Sequence, residues 1–318
     1  MSPKPLIRLA VLAVALAAGA VASRGAPILY DGFEGGGASP GPGQYATGTG
    51  YSGSPSDRLN GQHPVVTGFS AGDSWVQGGP NVSSVNYIRT QAAGATYAGL
   101  DTLAGAPMYT YTGGTNTGAI HTQTAARNTN TTDTSTTWWF SCLMLWDTDI
   151  QGAGNSVTFV FDNGKDGLKF GLAPHNGSNR VAYVTGDGDI ATIGWDDVSL
   201  ATGVSHMLLV KVTQGAGDWY DDLSLWVDPV LADGAGGLGT PDATASAIVS
   251  RNTNTQTRLM SVSLNMAIPK WAGNTPDMII DEIRVGKTYA DVTVPEPATL
   301  GLMALGGAGL VLLRRKRR

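Results

Sequence analysis

Carboxylates and loop aromatics are the residues of this chain whose type and spacing could do chemistry. Glutamate occurs only at Glu34, Glu282 and Glu296. Asp162-Asn163-Gly164-Lys165-Asp166-Gly167 and Asp187-Gly188-Asp189 are acidic loops with glycine-assisted turns. Hard oxygen donors of this kind suit calcium, which makes Asp162 and Asp166 candidate calcium ligands. Neither loop supplies the glutamate that closes an EF-hand loop. The alternative is ordinary Asp/Asn turn chemistry. Trp195, Trp219-Tyr220 and Trp271 stand in loop-like contexts, the first two beside carboxylates. Aromatic faces pack on sugar C–H surfaces while polar neighbours fix hydroxyls, so these four are candidate ligand-binding residues. The alternative for each is a packing cover over the core.

Other chemistries find less support. His63, His121, His175 and His206 stand apart from any Gly-x-Ser-x-Gly elbow, and each reads as an ordinary surface histidine. Zinc would need clustered His and Cys, which the sequence lacks. The lone Cys142 has no partner for an internal disulfide and sits in the apolar run Trp138–Trp146, where it reads as a small buried hydrophobe. Between Ser23 and Thr293 there are 13 basic and 24 acidic residues, a net charge of −11. That is no footprint for nucleic acid.

The elements that must position these residues read as strands. Charged residues make up 14% of the chain, glycine occurs 44 times, and Ser, Thr and Asn supply most other polar positions. Little polar material favours helices. Ile28–Glu34 reads as a first short strand. Extended runs recur at His63–Phe69, Ser74–Gln77, Val85–Arg89, Pro107–Tyr111 and Ala119–Thr124. Trp138–Trp146 is apolar almost throughout and suits a strand buried on both faces. Ser156–Asp162, Leu168–Leu172 and Arg180–Thr185 follow, each bounded by Gly, Asn or Asp. A loop is expected over His175–Asn179. Ser205–Thr213 and Asp222–Asp228 form the next pair, closed by Pro229. Leu231–Thr240 reads as a Gly-rich loop, and Arg258–Asn265 and Met278–Val285 as the last strands. Many short strands and few helix signals predict an all-β, two-sheet antiparallel sandwich over residues 23–293.

Both ends carry export signals. Residues 1–22 have Lys4 and Arg8, then an apolar run ending in Ala20-Val21-Ala22, the pattern of a secretory signal peptide. Val294-Pro295-Glu296-Pro297 opens the other end, and its prolines cannot sit in a helix interior. Ala298–Leu313 follows with 16 uncharged residues, slightly short of the roughly 17–25 a stable spanning helix needs. Arg314, Arg315, Lys316, Arg317 and Arg318 close the chain. An apolar span followed by a basic cluster is a stop-transfer arrangement with the cations on the cytoplasmic side. The span is expected to be a transmembrane helix and Pro295–Pro297 to be exposed and irregular. An ordinary uncut anchor is the alternative.

This tail resembles the PEP-CTERM sorting signal of Gram-negative bacteria. The resemblance implies an exported protein, held briefly in the inner membrane and processed by an exosortase at or near the Pro-Glu-Pro triplet. It implies a final place at the cell surface or in the extracellular matrix. Some such proteins accompany extracellular polysaccharide, and a few ice-binding proteins carry similar tails. The strands Met207–Val212 and Ser224–Pro229 and the closing Ile279–Gly286 resemble the concanavalin A-like lectin/glucanase jelly roll in its laminin-G-like form. That resemblance implies that the first and last strands lie together. It also implies a structural calcium between them, with Glu34 and Asp281 as ligands; a solvated carboxylate pair is the alternative. The glucanases of that superfamily carry a Glu-x-Asp-x-x-Glu strand, and this chain has none. The expectation is therefore a non-enzymatic surface or matrix protein, possessing a carbohydrate-binding face or purely structural; a glycan-active hydrolase is the other reading.

Overall fold

A computed structural model describes residues 27–32, 75–78, 86–90, 95–98, 100, 108–112, 120–128, 137–146, 156–162, 168–175, 178–184, 200–214, 220–231, 235–249, 261–269 and 278–293. Fourteen strands fall in this set: β1 (Leu29–Asp31), β2 (Val76–Gly78), β3 (Asn86–Thr90), β4 (Met108–Thr112), β5 (Ile120–Asn128), β6 (Thr137–Trp146), β7 (Ser156–Asp162), β8 (Leu168–His175), β9 (Ser178–Val184), β10 (His206–Gln214), β11 (Tyr220–Val227), β12 (Ala243–Val249), β13 (Ser261–Pro269) and β14 (Met278–Gly286). Helix is confined, among the described residues, to a single 3-10 turn at Ala235–Gly237 and a short helix α1, Tyr289–Thr293.

The strands form two antiparallel sheets, the expected all-β class. The larger has eight strands in the order β12-β11-β10-β6-β14-β4-β3, with β1 paired to β14. The smaller has six, in the order β2-β5-β13-β7-β8-β9. The first and last strands pair as the resemblance implied, with Leu29 opposite Val285 and Asp31 opposite Ile283.

β6 lies centrally between β10 and β14, and this explains its composition. Register places Phe140 and Cys142 on one face with Leu208, Val210, Leu223 and Leu225. Those residues are buried, Cys142 included. Burial pushes the Cys142 thiol well above its ordinary pKa, so it behaves as a small hydrophobe. The opposite face carries Trp139, Leu143, Met207, Leu209 and Trp226, and it is buried too. Its cover is α1, through Tyr289 and Val292, with Ala95 and Leu100. Trp139 stacks on Trp226 with centroids 5.8 Å apart and takes the Tyr289 ring edge-on at 5.6 Å.

Several boundaries differ from the sequence reading. β8 and β9 continue into the expected loop, with His175 paired to Ser178. That leaves only Asn176-Gly177 between paired positions, the dipeptide most suited to a two-residue hairpin connection. β5 runs on to Asn128. β12 was not expected. Its Ala-Thr-Ala-Ser-Ala start has weak strand propensity, and the strand exists because β11 offers an edge to pair with. His63–Phe69 lies outside the described residues.

Candidate functional site

Three features near the larger sheet gather polar chemistry. The first is a sealed charged cluster where β1 meets β14. Asp31, Asp281, Glu282 and Arg284 are each at most 3% exposed. The Arg284 Nη2 donates to Glu282 Oε2 at 2.7 Å, and the Tyr30 hydroxyl donates to the same oxygen at 3.0 Å. Trp75 Nε1 donates to Asp31 Oδ2 at 3.2 Å. Asp281 accepts from Ala95 N at 2.8 Å and from Glu282 N at 2.9 Å. The guanidinium also lies over the Tyr30 ring, 5.1 Å from its centroid.

A β-bulge builds this cluster. Asp281 pairs with Leu143 and Arg284 with Ser141, so Glu282 and Ile283 together oppose Cys142. Glu282 takes the left-handed conformation, φ 53°, which a non-glycine residue rarely adopts. The Asp281 side chain holds the strained amide and Arg284 holds the carboxylate, so the bulge and the ion pair stabilise each other. Burial, then the Glu282 charge, push the Asp281 carboxyl well above its ordinary pKa, against the lowering effect of its two amide donors. Burial likewise pushes the Tyr30 phenol up, with Glu282 adding to the effect.

The second feature is His206, expected at the surface and found buried. Its Nδ1 lies 2.5 Å from Asp228 Oδ2 and its Nε2 2.9 Å from the Ala201 carbonyl. With an acceptor at each nitrogen, the ring is satisfied when both nitrogens carry protons, which is the imidazolium form. The hydrogen bond to Asp228 is the main cause of its raised pKa; the Ala201 carbonyl and the Asp228 charge add, and burial opposes. Asp228 Oδ1 also accepts from Met207 N at 2.8 Å, which ties the end of β11 to the start of β10. A folded-state pKa above the unfolded value of about 6.5 means the stabilisation is fully present below that value. It is lost as pH rises through the folded-state pKa. The parent should therefore lose its stability advantage over His206→Gln as pH rises above about 6.5, in denaturant titrations. A parallel pair of stability–pH curves would refute the charged pair.

The third feature is α1. Asp291 Oδ2 accepts from Lys287 N and Thr288 N, both at 2.8 Å, and fixes the turn into the helix. Gly286 is required beneath it, because a Cβ there would overlap Asp291 Cβ and lie 2.9 Å from its Cγ. Ser141 Oγ donates to the Val292 carbonyl at 2.7 Å, Thr293 Oγ1 to the Tyr289 carbonyl at 2.8 Å, and the Tyr289 hydroxyl to the Leu231 carbonyl at 3.3 Å. Val292 and Thr293 are buried.

The sequence-derived site residues divide between these features and the undescribed parts. Asp281 is present, but it does not fit the implied calcium site. It is fully buried and its two oxygens each accept a backbone amide. No group of three or more His, Cys, Asp or Glu that could hold a metal occurs among the described residues. Asp162 ends β7 and Tyr220 begins β11. Glu34, Asp166, Trp195, Trp219, Trp271 and the tail Val294–Arg318 lie outside the described residues. No helix among the described residues is long and apolar enough to cross a membrane. Tyr30, His206, Asp228 and Arg284 were not singled out as a site. The advance signal was Arg284 standing close after Asp281 and Glu282 in the closing strand.

Comparison with solved structures gives low-identity likenesses. One is a putative beta-glucanase from Mycobacterium abscessus, 12% identical, with a TM-score of 0.43, covering 82% of this chain and 100% of that one. Another is the cellulose induced protein Cip1, at 15% identity and a TM-score of 0.41, covering 67% of this chain and 91% of that one. A Lotus tetragonolobus seed lectin matches at 9% identity and a TM-score of 0.34, covering 56% of this chain and 86% of that one. At such scores the fold description rests on the strand order itself. No curated protein matches the chain. A family model does match residues 293–318, starting at the last residue of α1. Those residues carry the PEP-CTERM protein-sorting motif.

Proposed function

We propose that this is an exported, non-enzymatic surface or matrix protein, delivered through its C-terminal tail and cut there by an exosortase. The motif at residues 293–318 carries this reading. The order of triplet, apolar span and basic end suits a transient inner-membrane stop, with Arg314–Arg318 retained on the cytoplasmic side. The sequence supports a non-catalytic domain, since it has no Glu-x-Asp-x-x-Glu pattern. The test is made in cells. Replacing Pro295-Glu296-Pro297 with three alanines should leave full-length protein in the inner membrane. Deleting Arg314–Arg318 should let the span slip through and release uncut protein. If both variants are shortened and localised like the parent, the tail is not a sorting signal.

Extracellular polysaccharide is the ligand class we favour for the exported domain. Trp195, Trp219, Tyr220 and Trp271, two of the tryptophans beside carboxylates, support that choice. Processed protein should retain defined glycans on an array. Release of reducing sugar from those glycans would instead favour the hydrolase.

A further inference from the structure

The sorting motif begins at a buried segment of the folded domain. Thr293 is the last residue of α1 and the first of the matched motif. Only Val294 separates it from Pro295. An enzyme that cuts a peptide at or near Pro295–Pro297 must hold extended backbone on both sides of the bond. Beyond Val294, the residues on the upstream side are Thr293, Val292 and Asp291. All three are buried and helical. The Val292 carbonyl is occupied by Ser141 Oγ, and Tyr289 is wedged edge-on against Trp139. Asp291 is locked between the Lys287 and Thr288 amides and the backbone at Gly286.

From this juxtaposition we propose that α1 is a strap that gates processing of the tail. Docked on β6, it withholds the upstream peptide from the enzyme; cutting follows its release from the sheet. The release is local. Tyr289–Thr293 can leave the face while the β-ladders stay paired, because it is held there by side-chain packing and by hydrogen bonds such as those to Ser141 and the Leu231 carbonyl rather than by a ladder. Folding and processing are thereby coupled: a completed domain presents its junction slowly, and a frayed one presents it fast. The inference rests on the tail being a processed sorting signal.

Ser141 gives the cleanest test. It lies 151 residues before Val292, so the enzyme cannot read it as part of the peptide. Full-length protein is pulse-labelled in cells and followed as it shortens. Ser141→Ala removes one hydrogen bond to α1, a loss that shifts the docking equilibrium about fivefold, and shortening should quicken by a similar factor. A second variant inserts Gly-Ser-Gly between Thr293 and Val294 and leaves the domain untouched. It should also shorten faster than the parent, and Ser141→Ala should then add nothing. Parent-like rates for both variants, with the α1 amides exchanging faster in Ser141→Ala, would overturn the strap while leaving the sorting signal intact. Parent-like shortening of a chain with three alanines at Pro295–Pro297 would overturn the sorting signal and the strap together.

Discussion

Arg284→Met should be among the most damaging single substitutions in the domain, costing about 3–5 kcal/mol. The guanidinium is the cation within a sealed group of Asp31, Asp281 and Glu282. It contacts Glu282 directly at 2.7 Å. Methionine fills similar volume, so the loss is mainly electrostatic. It leaves the Glu282 carboxylate buried without its guanidinium, where water cannot replace the lost interaction. The bulge adds to the cost, because the Arg284–Glu282 bond helps hold Glu282 at a positive φ. The double variant Arg284→Met/Glu282→Gln should recover much of the loss, since a neutral amide has far less to lose on burial. Denaturant midpoints of parent, single and double variants provide the measurement. A single variant within about 0.5 kcal/mol of the parent would show that the cluster does not need its cation.

Trp139→Ala should cost a similar amount, about 3–5 kcal/mol. Trp139 faces away from Phe140 and Cys142, on the side of the sheet that α1 covers. It is buried between Trp226 and Tyr289, with Lys211 Nζ 5.6 Å from its ring centroid. Truncation removes the stack and the edge contact at once and opens a cavity beneath α1. Trp139→Phe keeps an aromatic surface and should lose clearly less. Thermal unfolding followed by the remaining tryptophan fluorescence distinguishes the variants. A cost below about 1 kcal/mol for the alanine variant would mean that this face is not core.

Short-range pattern determined much of this protein. Apolar runs bounded by Gly, Asn and Asp placed most of the strands, because alternation and turn chemistry act within a few residues. The unbroken Trp138–Trp146 run announced a strand covered on both sides. The sorting tail was legible as well, since its triplet, span and basic end follow one another directly. Tertiary structure decided what no local window contains. Tyr30 and Glu282 meet across 252 residues, and the bulge that directs Glu282 depends on how β14 pairs with β6. His206 looked like a surface residue because its partner, Asp228, lies on the neighbouring strand's end, 22 residues away. β12 became a strand only because β11 offered an edge. The five residues of α1 carry no strong helix signal of their own. They are helical, and all but Ala290 are buried, because the sheet presents Trp139 and Ser141, and the segment after β11 presents the Leu231 carbonyl, to receive them. Pairing and docking are long-range choices, made by whichever surface is there to be covered.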